Sequence, residues 1–471
     1  MFWVRNSTIT DKKAATPLVR SILFFMTGFA ACAGTALAEE SPPPAKLIVT
    51  VDQAIRRALS DAPELGESQA DIELAQSKLN EAGGHRFPRL EFIALAGPAP
   101  QANKSDFYKA DTNYGLSHLT WFVSSDILVT QPLYTFGKIS ESMKAAESGI
   151  EVDRARKEQR RNEIAQQVRE YYYGLLLARE MKGLVEEIQG YLDSARVSAR
   201  KLLAQDSPNV DTTDLYKLDA FTGESARFLN EAKRGEQLAL SALRARLGLS
   251  PAADLDIADQ QLDLDEATVK DLSAYLSDAE QRRPEYRQIR EGLKARAALV
   301  EAARANFYPD IFFGAYYSGA YSPGRDKINN PYVVDTLFRH NWGGMAIGVK
   351  WHLDFGITEA KFAAEQAQYD RLLKTREYAA INIPLQVKKY QLELAEARQS
   401  AENMKTAWTN ARKWTVSAAA NFDFGLGPAR DIFEGIQNYA RMKGEYFKSL
   451  YNFRIAEANL ILATGQPPGE K

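Results

Sequence analysis

The sequence is poor in the residues that carry covalent or metal-based chemistry. Its 471 residues include one cysteine, Cys32, so an intramolecular disulfide is excluded. The four histidines are isolated and show none of the spacings of a metal site; they are His85, His118, His340 and His352. Phosphate-binding loops, dinucleotide fingerprints and nucleophile elbows are also missing. We therefore predict that the protein is not an enzyme and uses neither a metal nor a cofactor.

The chain also lacks a large excess of charge of one sign, and it has few long apolar runs. Net charge is −2, so the chain lacks the basic surface that nucleic acids require, and we predict no nucleic-acid partner. Mean hydropathy is −0.36. After residue 38 no stretch approaches the roughly 18 consecutive apolar residues of a membrane-spanning helix. Strands of a membrane barrel remain compatible with this composition, because they are short and alternate in polarity.

The first 38 residues are typical of a secretory signal peptide. Basic residues precede a short apolar run at residues 21–33, and Ala36-Leu37-Ala38 supplies the small residues of a cleavage site. The run is shorter than the ~20 residues needed to cross a bilayer, which disfavours the alternative of an uncleaved anchor. We predict cleavage after Ala38. Residues 29–32 loosely match a lipoprotein cleavage box with Phe29 in place of Leu, so lipidation of Cys32 stays open.

Most of the remaining chain is an internal repeat. Ala62-Pro63-Glu64-Leu65 resembles residues 283–286, and Phe87-Pro88 resembles Tyr308-Pro309, both at an offset of 221 residues. Phe136-Gly137 matches Phe355-Gly356 at an offset of 219. Chance matches among alanine-rich helices would scatter, whereas this offset drifts slowly in one direction. We conclude that the chain is a duplication.

The two repeats share one order of elements: helix, β-hairpin, very long helix, turn and return helix. We predict the opening helices from about Val51 to Glu81 and from near Glu285 to a point before Pro309. The clearest strand alternates apolar with small or polar residues from Met345 to Phe355. The other predicted strands are residues 90–95, 119–133 and 311–317.

The long helices are predicted from proline spacing and composition. No proline lies between Pro132 and Pro208, and a helix from Gly137 to about Leu203 would be roughly 100 Å long. The second copy runs from Gly356 to about Ala420, with Pro384 expected to kink it locally. Each helix has a narrow apolar stripe at coiled-coil spacing, called the seam below. The seam residues are Val168, Tyr171, Leu175 and Ala178 in the first copy and Val387, Tyr390, Leu394, Ala397, Ala401, Met404, Trp408 and Ala411 in the second.

These elements predict a mainly α fold with a small β part. After the signal at 1–38, the first repeat spans residues 39–250, an acidic connector 251–283, and the second repeat 284–471. The predicted β-hairpins are at about 89–135 and 309–355, and the helical hairpins at about 137–248 and 356–465. Four short strands cannot close a membrane barrel, because the smallest barrels have about eight. If the strands cross a membrane, several chains must share one barrel.

Aromatic residues cluster in the predicted strand regions. They fit either the girdles expected at membrane interfaces or the general preference of aromatic residues for strands, and both interpretations stay open. The residues are Trp121, Tyr134, Tyr316, Tyr317, Tyr321, Trp342 and Trp351.

The order and duplication of these motifs resemble the TolC-like outer membrane efflux proteins. The resemblance rests on Gln131 to Lys138 (Gln-Pro-Leu-Tyr-Thr-Phe-Gly-Lys), the opening at Ala62 to Leu65 and the Phe-Pro strand entries, and it covers roughly residues 47–468. It implies a homotrimer with a 12-stranded β-barrel in the Gram-negative outer membrane and an α-helical barrel across the periplasm. It also implies a periplasmic adaptor and an inner-membrane pump as partners, contact with outer membrane lipid, and passive export of small molecules or polypeptides.

The same resemblance points to the turns of the helical hairpins as functional sites. Asp431 and Glu434, with Arg430 beside them, match the acidic residues near the periplasmic gate. They would form acidic rings in a trimer, or they are simply solvated carboxylates in a first helical turn. The candidates for adaptor docking are Ser207, Asp214, Phe424, Gly425 and Gly427. Arg430 beside Asp431 is either a gate contact or a surface ion pair of little energetic weight.

The alternative function belongs to a different class of protein. A secreted coiled-coil structural or adaptor protein of the periplasm, with its hairpins outside any membrane, would have the same elements. The alternation from Met345 to Phe355 favours the channel over this alternative.

Overall fold

A computed structural model describes residues 46–101, 119–264, 270–323, 325 and 337–467. The predicted signal peptide, with Ala38 and Cys32, lies outside the described residues. The described helices are α1 Val51–Asp61, α2 Pro63–Gly84, α3 Lys138–Leu203, α4 Thr212–Arg246, α5 Leu272–Arg282, α6 Pro284–Arg304, α7 Ile357–Asp423 and α8 Ala429–Thr464. The strands are β1 Leu47–Val49, β2 Arg89–Pro100, β3 Leu119–Tyr134, β4 Leu255–Ile257, β5 Asp310–Tyr321 and β6 His340–Lys350. The prediction of a mainly helical fold with a small sheet is confirmed.

The opening helix of each repeat is in fact a pair of helices. The prediction of one helix from Val51 to Glu81 is wrong, because α1 ends at Asp61 and α2 begins at Pro63. Ala62 has extended backbone angles, which the following proline favours, and Pro63 then takes the first position of α2. The same break separates α5 from α6 at Arg283. Helix α5 lies within the predicted connector and is the counterpart of α1 at the offset of 221.

The rest of the connector is fastened to the first long helix. Strand β4 pairs in parallel with β1. The Asp256 carboxylate accepts from Arg179 of α3 at 2.6 Å and lies 2.7 Å from the Lys46 ammonium. Tyr172 of α3 donates its hydroxyl to Asp259 at 2.9 Å. The connector is therefore clamped to the side of α3 at residues 255–259.

A four-stranded antiparallel sheet in the order β2-β3-β5-β6 joins the two repeats. Strands β3 and β5, one from each repeat, are its central pair, and β2 and β6 are its edges. Strand β6 ends at Lys350, so the predicted continuation to Phe355 is wrong for a single chain. Residues 351–354 have no regular structure.

The sheet is a single layer with two different faces. The register places Phe92, Ile127, Val129, Phe313 and Ile347 on one face, which is almost wholly apolar. The opposite face carries the polar residues Arg89, Glu91, Asp126, Ser318 and Lys350 together with some apolar ones. The apolar face is open to the surroundings: Met345 is 75% exposed and Ile347 72%.

The two long helices leave the sheet through similar Phe-Gly turns. Phe136-Gly137 and Phe355-Gly356 all have positive φ, and α3 and α7 begin directly after them, with 66 and 67 residues. Helix α7 runs through Pro384 as one element. No helix in the described ranges combines the length and apolar character needed to cross a membrane.

The seam is confirmed in α7, where all eight predicted residues are buried or half-buried. In α3 one of the four predicted seam residues is wrong. Tyr171 is exposed, and its neighbour Tyr172 is fully buried in its place.

The return helices differ in how deeply they are buried. Helix α8 packs against both α7 and α3, with Tyr439, Leu450 and Phe453 almost completely covered. Its counterpart α4 packs mainly against α3, and only Leu218, Ser225 and Leu243 are buried along it.

Candidate functional site: the two helical turns

The turns of the two helical hairpins lie side by side. Asn209, between α3 and α4, donates its side-chain amide to the Gly425 carbonyl, between α7 and α8, at 2.6 Å. Its own carbonyl accepts from Ala429 N at 3.4 Å. Ser198 donates to the Asp423 carboxylate at 2.5 Å. Residues of both predicted docking turns therefore form one surface at one end of the helical part.

The second turn exposes two large apolar side chains. Gly425 (φ +69°) ends α7 in the left-handed conformation that glycine tolerates best. The N–H groups of Leu426 and Gly427 then both donate to the Asn421 carbonyl, which folds the turn tightly. Phe422 is fully buried, whereas Phe424 is 79% and Leu426 78% exposed. The tip therefore presents an apolar surface to the surroundings.

The first turn is held by a helix cap. Asp211 accepts from Asp214 N at 3.0 Å, and the Asp214 carboxylate accepts in return from Asp211 N at 3.2 Å. Lys217 also donates to Asp214 at 3.1 Å. Ser207 donates its backbone N–H to the Leu202 carbonyl at 3.1 Å. The contacts of Asp214 are those of a residue that starts α4, so its placement in the docking set stays a prediction.

The acidic pair lies on the outer face of α8. Asp431 is half-buried and Glu434 exposed, while Ile432 and Phe433 between them point into the core. The Arg430 guanidinium lies 3.7 Å from the Glu434 carboxylate, one helical turn away. Both side chains of this ion pair are more than half exposed, so it contributes little to stability. Within one chain, Arg430 therefore pairs with Glu434 rather than with the adjacent Asp431.

A cavity of about 370 Å³ opens between α3, α4 and α8 near these turns. Phe221 of α4 and Phe433 of α8 both line it and form a tilted ring pair, with centroids 6.2 Å apart. Its other apolar lining residues are Ile188, Leu192, Phe228, Ile436 and Ala440, and its charged residues are Glu224 and Arg441.

Comparison with known proteins decides the family. The sequence model of the family described as outer membrane efflux protein matches residues 54–205 and 275–466, which is most of the chain. The chain belongs to the outer membrane efflux protein family. The resemblance seen in the sequence is confirmed. Members of this family are transport channels, and the chain is placed in the outer membrane with an extension into the periplasm.

Similar proteins include one curated relative and several solved channels. Protein CyaE of Bordetella pertussis is 27% identical over 291 residues, a match that spans 60% of this chain and 58% of CyaE. The outer-membrane channel OprN has a TM-score of 0.74 at 15% identity, covering 88% of this chain and 89% of OprN. VceC of Vibrio cholerae gives 0.71 at 17% identity, with 88% and 96% covered. The likeness to the solved channels establishes the efflux-protein fold.

Sequence reasoning missed a polar cluster in the helical part of this efflux protein. Glu187 of α3 accepts from the Tyr439 hydroxyl at 2.8 Å and from the Lys443 ammonium at 2.6 Å, both on α8. Partial burial acts to raise the pKa of the Glu187 carboxyl, but donation from Lys443 and then from Tyr439 outweighs it, so the pKa lies below its usual range. The cluster is a charged link between the two hairpins.

One sequence signal could have revealed this cluster. Tyr439, Lys443 and Phe447 are spaced by four residues, which puts the lysine on the buried face of α8 between two aromatic residues. A charged residue in such a position is expected to have a partner. The described residues contain no group of three His, Cys, Asp or Glu residues that could hold a metal ion.

Proposed function

We propose that three copies of this chain form the exit duct of an export system, with a shared 12-stranded β-barrel in the outer membrane and an α-helical barrel in the periplasm. The observation that carries the proposal is the single-layer sheet, whose apolar face is uncovered and whose two edges, β2 and β6, are open. Lipid would cover the apolar face, and the edges must be paired because unpaired backbone groups are costly in lipid.

The strand directions favour closure between copies. All three pairings in the sheet are antiparallel, so β2 and β6 run in opposite directions. Strand β6 of one copy can therefore pair with β2 of the next in the antiparallel manner of membrane barrels. Three copies with four strands each give 12 strands, whereas a single copy falls below the smallest barrel of about eight.

The helical part supports the same assembly. In repeat two, α8 is covered on one side by α7 and on the other by α3. Its counterpart α4 has α3 on one side only, and Tyr216 and Leu238 on it are 72% and 70% exposed. Helix α7 likewise leaves Ile381 71% exposed. By analogy with the packing of α8 between α7 and α3, α4 of one copy would lie against α7 of the next and continue the helical wall around a ring.

The remaining parts of the proposal concern the turns. A periplasmic adaptor protein would dock on the surface of the two hairpin turns, where Phe424 and Leu426 are exposed and where Ser207, Gly425 and Gly427 shape the backbone. Asp431 and Glu434 from three copies would form acidic rings that attract cations at the duct entrance. An inner-membrane pump would supply the cargo, small molecules or polypeptides. The two repeats, joined by the connector at residues 251–283, would then divide the wall of the duct between them.

Fractionation and conductance together test the proposed function. We expect the full chain to be recovered from outer membranes only with detergent, and to give stable single-channel currents in planar lipid bilayers. Recovery in the soluble periplasm without detergent would contradict the proposal and favour a structural coiled-coil protein. Light scattering of the detergent-solubilised protein should give the mass of three chains, and a monomer mass would refute the shared barrel.

A further inference from the structure

Two aromatic rings join the repeats where the sheet meets the long helices. The ring of Phe136 stacks on that of Tyr308, with centroids 5.0 Å apart and planes at 15°. Phe136 follows β3, and Tyr308 precedes β5, the strand paired with β3. The stack therefore closes the helix-proximal end of a strand pair that contains one strand from each repeat.

The duplication supplies a second pair of rings in matching positions. Phe355 follows β6 as Phe136 follows β3, with φ of 43° against 50°. Phe87 is the counterpart of Tyr308 and precedes β2. The residues before positions 87 and 308 also make similar hydrogen bonds, each accepting from a side chain of the neighbouring strand or of the segment that follows that strand. Gln131 donates to the Arg86 carbonyl at 2.8 Å, and Trp351 donates to the Phe307 carbonyl at 3.2 Å.

This second pair does not meet within one chain. Phe355 is fully exposed and Phe87 is 71% exposed, and the strands next to them, β6 and β2, are opposite edges of the sheet. Phe136, by contrast, is only 38% exposed. The chain thus contains the ring stack of Phe136 on Tyr308, whereas the equivalent stack of Phe355 on Phe87 is not formed within one chain.

We infer that Phe355 of one copy stacks on Phe87 of the next copy and forms the junction between chains at the base of the sheet. The inference rests on the shared barrel proposed above, in which β6 and β2 of adjacent copies are neighbours. The two halves lie on different surfaces of the chain, so the contact is head-to-tail and generates a ring when the rotation closes.

The same symmetry accounts for the early end of β6. Within the chain Tyr134 pairs with Ile311, at the end of the β3–β5 ladder. By the repeat offsets of 219 and 221, the equivalent pair is Leu353 of one copy and Leu90 of the next. Residues 351–353 then gain backbone partners that a single chain does not provide. The part of the predicted strand from Trp351 to Leu353 would then form only in the assembly.

Cross-linking between separately marked chains tests the junction. A tagged chain with Phe87→Cys and an untagged chain with Phe355→Cys are produced together, and their outer membranes are treated with a short bis-maleimide. We expect a linked species containing one tagged and one untagged chain. Each single variant produced alone controls for Cys32. The matched control places Phe136→Cys and Tyr308→Cys in one chain, where an internal link identified by peptide mass spectrometry is expected without dimer formation.

The outcomes separate this inference from the proposed function. A trimer mass by light scattering, with an internal 136–308 link but no link between Phe87→Cys and Phe355→Cys chains, would refute the junction and leave the trimer intact. A doubly substituted chain that links 87 to 355 internally would refute it as well. A monomer mass would overturn both the proposed assembly and the junction. A chain-to-chain link in a trimer supports the junction.

Discussion

Glu187 of α3 joins the two helical hairpins by accepting hydrogen bonds from two side chains of α8. Its carboxylate receives the Lys443 ammonium and the Tyr439 hydroxyl, and the lysine side chain is only 20% exposed. Replacing the carboxylate removes the charge that compensates this lysine, and a partly buried charge without a partner is costly.

We therefore expect Glu187→Gln to destabilise the protein by about 1–3 kcal/mol. The matched control is Glu434→Gln, which removes an exposed carboxylate from an ion pair within α8 and should change stability by no more than about 0.5 kcal/mol. Thermal unfolding of the detergent-solubilised protein, followed by circular dichroism, measures both. Equal Tm values for Glu187→Gln and the unmodified chain would show that the negative charge of Glu187 does not contribute to stability.

At this scale the sequence predicts classes of residue better than individual contacts. The seam in α7 could be read from spacing, because apolar residues at alternating intervals of three and four residues define a face. In α3 three consecutive tyrosines, residues 171–173, are candidates for the buried seam position. Tyr172 occupies it, and its hydroxyl donates to the Asp259 carboxylate of the connector. That partner lies 87 residues away in sequence, so local spacing does not reveal it.

Glycine caps end the return helix in each repeat, and their surroundings differ. Gly248 and Gly465 both have positive φ, of 66° and 68°. A methyl group at Gly248 would have the Asp61 Cβ as its nearest neighbour, at 3.5 Å, whereas one at Gly465 would lie 2.7 Å from backbone atoms of Arg283. The first position is strained by conformation alone, and the second is also obstructed by backbone.

We expect Gly248→Ala to cost about 1 kcal/mol and Gly465→Ala to cost clearly more. The two variants are matched, because they occupy the same position in duplicated elements. Their Tm values under identical conditions measure the difference. Equal losses would mean that the α5–α6 junction at Arg283 yields easily to a methyl group.

The clamp of β1 and β4 on α3 should weaken in acid. Burial acts to raise the pKa of Asp256, but donation from Lys46 and Arg179 outweighs this and lowers the pKa from 3.8 to about 2. The folded state therefore holds this carboxylate ionised when the unfolded chain would protonate it. The resulting stability is present above about pH 4 and is lost as pH falls towards 2.

The prediction is a Tm difference that depends on pH. Asp256→Asn should melt below the unmodified chain at neutral pH, and the gap should narrow as pH falls from 4 towards 2. Asp193→Asn, which changes a carboxylate 59% exposed in a pair with Arg196, serves as the control and should show only a small gap at every pH. A gap for Asp256→Asn that is constant with pH would rule out ionisation as its origin.

Whole elements were predictable where glycine and proline mark their ends. The long helices follow the Phe-Gly turns at residues 137 and 356 and end within a few residues of the predicted positions. The break at Pro63 was present in the sequence, but a proline is also tolerated at the first position of a helix, and the start of a second helix there was missed. The end of β6 was not predictable from the chain alone, since it depends on which strand lies beside it.

In the molecule as a whole, the two repeats share the features of the proposed duct wall and differ at the hairpin turns. The shared turns and strand pairs repeat around the proposed ring and build its wall. The hairpin turns differ between repeats: the first begins α4 with an acidic capping box, and the second exposes Phe424, Leu426 and the acidic pair of α8. Only the second repeat thus combines an apolar tip with carboxylates on an outward helix face.

The last prediction concerns these carboxylates in the assembled channel. If Asp431 and Glu434 from three copies face the entrance of the duct, they should concentrate multivalent cations there and let them obstruct the current. Asp431→Asn with Glu434→Gln leaves Arg430 in place, so the local charge turns from negative to positive. Single-channel recordings should then show weaker block by a multivalent cation such as hexamminecobalt.

The matched control is Glu445→Gln, which removes an exposed carboxylate from the same helix about three turns away, where it pairs with Lys448 at 2.9 Å. Block should persist in this variant, because the charge it removes lies away from the hairpin turn. Equal weakening in both variants would mean that the total charge of α8, rather than a ring at the turn, attracts the cation. Unchanged block in the double variant would remove Asp431 and Glu434 from the entrance, while the conductance itself would still report an open duct.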